Sequence, residues 1–392
     1  MINPVEIKAL AGIRNDLSPE RFKQGDLLVG SNIELDETGK VYRRLGTSVA
    51  AVGNMHSLWS EGADAFVVNN NVLQRINADL TMTPLLAIAG DRVDYVRIGS
   101  DVFFSDGIQS GAIRGTTVRQ WGITPPPALV AQAVAGTLRE GTYLYTMTYA
   151  RADGKESGAP VYGHINTTGG IFFPALPVSD DPTVTEKRIY LSDWDGELPY
   201  LAMTLPNSVA SVVLNSQPRK GPPLRTQLAG QAPAGRVVGY FNGRAYVADG
   251  QHLWYSRPHE YELFDLMSGY LTFPSNVQTF AAVSDGVFVG LTDETLFMDG
   301  MDPLDFVRKP ICDYGTVRGT VEDVPEYYVQ DGENQGPQKM WMSNDGVCLG
   351  QNNGVFKNLT GGRFIPPDGI AAGASLLKVR GGTPQFVVSL FS

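Results

Sequence analysis

Four histidines, His56, His164, His252 and His259, are the side chains best suited to move a proton near neutral pH. None lies in a pattern that would use one. No Gly-x-Ser-x-Gly run sets a serine on a sharp strand-to-helix turn, so no hydrolase nucleophile is marked. His252 and His259 flank a strand bearing Trp254, Tyr255 and Arg257, and read as surface or interface histidines. Cys312 and Cys348 sit in the strand-like runs KPICDYG and DGVCLG. With no CxxC or Cys–His spacing they read as small buried apolar residues and not as zinc ligands. No Gly-x-x-x-x-Gly-Lys-[Ser/Thr] run cradles a phosphate. Gly361-Gly362 and Gly381-Gly382 lack the helix that phosphate binding needs.

Carboxylates cluster in turns. Asp193-Trp194-Asp195-Gly196-Glu197 and Asp299-Gly300-Met301-Asp302-Pro303-Leu304-Asp305 each bring several together, and calcium takes oxygen ligands in such turns. Neither matches the twelve-residue loop with its closing Glu, so both read as plain turns. Asp293/Glu294 and Asp323/Glu326 are pairs that a glycosidase would use if they met at an axis. No catalytic, cofactor-binding or metal residue is therefore assigned, and the expectation is a protein that is not an enzyme and needs no cofactor. The stretch EDVPEYYVQDGENQG, Glu322 to Gly336, is long, acidic and aromatic. It reads as a solvated loop or, if functional, as the channel or interface loop, with Glu322, Asp323, Glu326, Tyr327, Tyr328, Asp331 and Glu333 as the candidate residues.

The elements that would position these residues are strands. Across 392 residues, Gly 44 and Pro 25 describe a chain that turns often, and 43% hydrophobic residues suffice for a buried core. The net charge of -10 argues against tight non-specific grip on nucleic acid, though not against an acidic channel along which DNA slides. The start, MINPVEIKAL, lacks the basic and apolar regions of a secretory leader. No run approaches the ~18 apolar residues of a membrane span.

After an extended arm with a hairpin at Thr38-Gly39, short strands recur: 55–59, 65–69 and 72–76, then 93–98, 102–105 and 117–121. Gly122-Ile123-Thr124-Pro125-Pro126-Pro127 is a stiff spacer. In GTYLYTMTYA, Tyr143, Tyr145 and Met147 alternate with threonines, the period of a half-buried strand. A second Pro-rich link, Asn215 to Pro223, ends this region. The short strands then resume at 242–265, 278–298 and 339–358, with Asp249-Gly250, Asp285-Gly286 and Asp345-Gly346 as turns. The expected fold is all-β: a β-propeller-like domain with an inserted small β-sandwich. Residues 1–122 would hold the arm and first blades, 123–216 the sandwich, and 217–392 the remaining blades. The arm at 31–47 could complete a blade built mostly by C-terminal strands.

Several of these pieces together resemble the tail-nozzle (head-to-tail hub, packaged-DNA stabilisation) family of short-tailed bacteriophages. They are LSPERFKQGDLLVGSNIELDETGKVYRRLGT (Leu17 to Thr47) and GTYLYTMTYARADGKESGAP (Gly141 to Pro160), with KRIYLSD (Lys187 to Asp193) as the latter's partner strand. To these add NGRAYVADGQHLWYSRPHEYELFD (Asn242 to Asp265), FPSNVQTFAAVSDGVFVGLTDETLFMDGMDP (Phe273 to Pro303) and KMWMSNDGVCLGQNNGVFKNLT (Lys339 to Thr360). Residues 160–185 and 363–392 carry no recognisable part of the pattern. The resemblance implies a structural virion protein of the phage tail, made in the host cytoplasm. Six copies would form a tube below the portal-adaptor ring, carry tail fibres or spikes, seal the packaged DNA and give it an exit channel. The alternatives are a carbohydrate-active β-propeller, glycosidase or lectin-like adhesin, or another tail component such as a fibre-attachment protein.

Overall fold

A computed structural model of the chain describes residues 9–36, 38–46, 48–325, 327, 336–380 and 383–392. Among them there is no α-helix, and the ordered elements are strands and short 3-10 turns. Among the described residues no helix is long and apolar enough to cross a membrane.

The arm begins with two short parallel-paired pieces, β1 (Gly12–Ile13) and β2 (Asp26–Leu27), and the hairpin β3 (Ile33–Leu35) with β4 (Val41–Arg43). Asp36 closes that hairpin by accepting from the Thr38 and Lys40 amides and the Thr38 hydroxyl. The Thr38 hydroxyl, with those amides, holds its carboxyl down at about 2. The arm is tied to the far end of the chain. Asn15 exchanges two hydrogen bonds with the Ile365 backbone, at 2.7 and 2.8 Å, and Asp26 accepts from both Arg14 and Arg363.

Four strands form the first antiparallel blade: β5 (Met55–Glu61), β6 (Asp64–Asn69), β7 (Val72–Ile76) and β8 (Met82–Ala87). Asn70 and Asn71, both at positive φ, make the tight turn between β6 and β7. The second blade is β9 (Asp94–Ile98), β10 (Asp101–Ser105), β11 (Ser110–Arg114) and β12 (Thr117–Gln120). Sequence patterning finds three strands of each blade and misses β8 and β11. Pro84 interrupts the first, and Gly111 leaves the second without a clear alternation.

The next strands build two facing sheets. They are β13 (Gln132–Val134), β14 (Gly141–Arg151), β15 (Gly163–Thr167), β16 (Gly170–Phe173), β17 (Val184–Leu191), β18 (Tyr200–Pro206) and β19 (Val212–Leu214). The sheet orders are β13-β16-β19 and β15-β14-β17-β18, the layout of a small sandwich. Its core joins Tyr143, Tyr145 and Met147 to Ile171, Phe173, Ile189 and Leu214. The expectation of a half-buried β14 needs correction, because Thr146 and Thr148 on its other face are buried too. Thr148 bonds to Glu156, which also takes the Tyr190 hydroxyl at 2.7 Å and Arg188 at 2.8 Å, so the following loop covers that face. Lys187 is fully buried, with Nζ donating to the Leu176 and Val209 carbonyls, and burial lowers its pKa.

The third blade follows the sandwich: β20 (Val237–Phe241), β21 (Arg244–Asp249), β22 (His252–Arg257), β23 (Glu260–Phe264) and β24 (Tyr270–Thr272), the last two both pairing with β22. Gly250 turns β21 into β22 as expected, while the preceding turn is Asn242-Gly243, both at positive φ. A side chain at Gly243 would come within 2.7 Å of the His259 ring. Then come β25 (Val277–Ala282), β26 (Gly286–Leu291), β27 (Thr295–Asp299) and β28 (Val307–Cys312). A further blade is β29 (Glu322–Val324), β30 (Gln338–Ser343), β31 (Gly346–Gly350) and β32 (Phe356–Asn358). The described chain closes with the long hairpin β33 (Ala372–Arg380) and β34 (Thr383–Phe391).

These four-stranded antiparallel meanders make the fold β-propeller-like, with the sandwich inserted between the second and third blades. By contacts the chain divides into two compact units, Ala89–Thr272 and the pair of segments Met1–Ile88 with Phe273–Ser392. The sandwich thus groups with the two blades that flank it in sequence. Within that unit, Ile98, Phe103, Ala112 and Trp121 pack against Val238, Ala245, Val247 and Phe264. Trp121 lies 4.8 Å from the Phe103 ring and meets Phe264 edge-on at 6.2 Å. Its indole N–H donates to the Tyr261 carbonyl at 2.8 Å. In the other unit the Phe288 ring meets those of Phe297 and Trp341 at tilted angles, in a cluster with Ala281 and Cys348.

Trp121→Ala therefore removes a fully buried ring from the seam between two blades. It should destabilise the chain by about 3–5 kcal/mol, read as a lower urea midpoint.

Candidate interface site

The candidate loop divides at the edge of the described structure. Glu326, Tyr328, Asp331 and Glu333 lie outside the described residues. Tyr327 is exposed. Glu322 and Asp323 stand on β29, the outer strand of its blade, where they pair with Met340 and Lys339. Alternation sends them to opposite faces. Asp323 points outward and forms an ion pair with Lys339. Glu322 turns inward, where the Ser375 hydroxyl of β33 donates to it at 2.8 Å. Burial outweighs that bond and raises the Glu322 pKa. The two residues therefore do different work: one solvates an edge, the other seats the terminal hairpin.

That hairpin is partly exposed. The β33 side is anchored: the Gly373 amide donates to the Arg318 carbonyl at 2.8 Å, and Leu377 and Phe386 pack on Val324, Met340 and Leu349. Lys378 reaches Glu34 of β3 at 3.4 Å, so the arm and the hairpin meet through an ion pair while remaining separate two-stranded sheets. Leu376 and Phe391, on the other face, are exposed.

The remaining candidates are spent on local structure. The Asp195 carboxylate accepts the Thr142 amide at 2.9 Å, Asp193 pairs with Lys220 at 2.5 Å, and Arg139 stacks on Trp194 at 4.4 Å. Asp299 pairs with Lys309, and Asp302 caps its own turn through the Leu304 amide. Asp293 bonds to Ser275, and the Glu294 carbonyl accepts the Leu291 amide, in the tight turn between β26 and β27. Among the described residues no group of three His, Cys, Asp or Glu side chains is placed to hold a metal ion. Cys348 is buried, which pushes its thiol up to about 12, far from the range of a reactive thiolate. His259 occupies the turn between β22 and β23 at positive φ, and His252 lies among the rings of Trp254 and Tyr270. A cleft of about 730 Å³ opens at one end of the sandwich, lined by Val134, Gly136, Glu140, Thr142, Asn166 and Thr168.

What sequence reading missed is a charged junction in the unit Ala89–Thr272. Glu262, on β23, accepts from Arg119 at 2.9 Å and from Arg151 and Lys155 of the sandwich. Arg119 also reaches Asp101 at 2.9 Å, and Arg114 binds Asp101 through two nitrogens at 2.7 and 2.9 Å. Arg151 continues to the Thr183 hydroxyl and to Asp181. Four cations thus face three carboxylates drawn from two blades and the sandwich. Burial pushes the Glu262 carboxyl up, but Arg119, Lys155 and Arg151 outweigh it and hold the pKa below the ordinary value. Asp101 is held down in the same way, with burial opposed by Arg114 and Arg119. No sequence motif marks such a network, because its members are separated by up to 161 positions, from Asp101 to Glu262.

No family model and no curated protein matches the chain. Solved structures resemble it over most of its length at low identity. BBS1N in complex with ARL6DN is 11% identical, covering 83% of each chain with a TM-score of 0.31. AztD from Citrobacter koseri is 12% identical, covering 90% of this chain and 92% of its own, with a TM-score of 0.27. Hsv2 from Kluyveromyces lactis is 6% identical, covering 84% and 94%, with a TM-score of 0.29. Scores this low leave the assignment of the fold to the strand order described above.

Glu262 and Glu322 should respond to acid with opposite sign. The lowered Glu262 pKa contributes stability that is present above the unfolded value and lost as pH falls through the folded one. The raised Glu322 pKa contributes stability that is present below the unfolded value and lost as pH rises through the folded one. Glu262→Ala removes the carboxylate shared by Arg119, Arg151 and Lys155, leaving the buried Arg151 with its longer 3.5 Å pair to Asp181, and should cost about 3 kcal/mol at neutral pH. Glu322→Gln keeps an acceptor for Ser375 and should raise the neutral-pH melting temperature. Thermal melts from pH 3 to 8 check both.

Proposed function

We propose that this chain is a structural virion protein, the distal tail tube or nozzle of a short-tailed bacteriophage. One observation carries the reading. The segment Gly141–Arg151 pairs directly with Val184–Leu191 in a sandwich that interrupts a run of propeller-like blades. These are the two strands, and the insertion, that the family resemblance of the sequence implies. The resemblance, and not any solved relative, supplies the function.

The physical properties suit that role. A net charge of -10 gives a surface along which DNA would slide and not stick. The buried junction around Glu262 ties the inserted module to two blades, as a part bearing load during ejection requires. In this reading six copies form the ring. The portal-adaptor ring lies above it, and fibres or spikes attach outside. The chain acts in the virion tail, after synthesis in the host cytoplasm, with no catalytic step of its own.

Negative-stain electron microscopy of the protein mixed with its portal–adaptor complex, or of purified virions, tests this. The expected image is a sixfold tube with an open axial channel at the tail. A chain that never docks to the tail and instead binds or cleaves bacterial polysaccharide would overturn the reading in favour of a carbohydrate-active propeller.

A further inference from the structure

Four blades in this chain end on a guarded strand. The last strands of four blades carry Pro84, Arg119, the run Arg308-Lys309-Pro310, and Lys357. Charges and prolines at an edge prevent a second strand from adding there. Strand β34 has no charge in any of its nine residues, Thr383 to Phe391, and its one proline lies next to the turn. Among the described residues it pairs only with β33, whose other side is held by Arg318 and Glu322. Its other edge, about 30 Å long, pairs with no described residue. A two-stranded sheet of this kind is marginal in water by itself.

The same chain carries a segment with the matching need. Ser48 to Val52, Ser-Val-Ala-Ala-Val, joins the arm to the first blade and is neither in a strand nor charged. Val49 is 79% exposed and Val52 is 88% exposed. Among the described residues the backbone of 48–52 makes no hydrogen bond to the rest of the chain. Apolar residues held in water beside unpaired amides are the composition of a strand awaiting a sheet.

We propose that residues 48–52 of one copy add as a strand to the edge of β34 away from β33 in the next copy. Both halves belong to every chain, so each copy offers its neighbour what it also requires. The contact is head-to-tail, the kind that closes into a ring when the rotation per copy permits. The occupant is a second copy because the sequence that fits the edge is the chain's own, and among the described residues of a single copy the two do not pair with each other. This deepens the nozzle reading and rests on it for the ring, but it stands or falls by a separate measurement.

That measurement uses the full chain in a Cys312→Ser background. Protein carrying Val49→Cys is mixed with protein carrying Val387→Cys under mild oxidation. A disulfide-linked dimer found only in the mixture is the expected result. Mass photometry should show an assembly that Val49→Lys weakens about tenfold or more, and that Val49→Lys combined with Val387→Glu restores. Val49 is exposed in the single chain, so its replacement leaves folding intact. Absence of the mixed disulfide, or an assembly indifferent to Val49→Lys, overturns the proposal. So does a disulfide formed within one copy bearing both cysteines. A sixfold tail tube that persists with Val49→Lys would overturn this interface alone, while a tail without any such tube would overturn the nozzle reading.

Discussion

The carboxylate of Glu262 is the point at which the larger of the two non-local problems of this fold is solved. A sandwich inserted between two blades meets them through links that form isolated backbone bridges, Ala159 with Gln227 and Gly230 with Phe264, and not continuous ladders, so backbone pairing does little to fix its position. A buried acid that draws one arginine from a blade, and an arginine and a lysine from the module, supplies that fixity. Such networks add little net stability over a well-packed apolar contact, since removing charges from water costs several kcal/mol for each ion. Their strength is directional: every oxygen of Glu262 is already committed, so a shifted module would leave a charge unpaired in a dry setting. Orientation is therefore enforced by the penalty for error.

The seam beneath that junction explains why the insertion occurs where it does. Trp121 ends the second blade and fills the space against the third, with its N–H satisfied by the Tyr261 carbonyl. Phe264, the last residue of β23, meets the same ring edge-on. The blades are thus joined before the chain departs and after it returns. An excursion between them needs only stiff exits, which Pro125-Pro126-Pro127 and Pro218 with Pro222-Pro223 provide. The module can then fold around its own core of Tyr143, Tyr145, Met147 and Phe173 without disturbing the blades.

Apolar groups stay in water in both units: Ile108, Val130, Val161 and Met267 in one, and in the other Leu58 and Leu304, Leu28, Val29, Leu45, Val49 and Val52 along the arm, and Leu376 and Phe391 on the terminal hairpin. What sets the arm and the hairpin apart is that exposed apolar groups there accompany an uncharged strand edge, a combination suited to assembly.

The sequence by itself determined the class of the fold and its rhythm. Asn70-Asn71, Asp249-Gly250 and Asp345-Gly346 are turn chemistry that acts within a few residues, and strand period is equally local, so both are legible before any contact is known. The sandwich was legible for the same reason, bounded by prolines and opened by an alternating strand. Local signals failed where burial came from elsewhere. Thr146 and Thr148 look solvent-facing but are covered by the loop at Glu156, and β8 and β11 became strands through their neighbours despite Pro84 and Gly111. The candidate site fared least well. Glu322 and Asp323 are adjacent letters of one acidic stretch, yet the pleat sends one inward to the Ser375 hydroxyl and the other to water. The junction at Glu262 left no trace in the sequence, because a charge network is defined by which distant residues arrive together, and only the tertiary structure decides that.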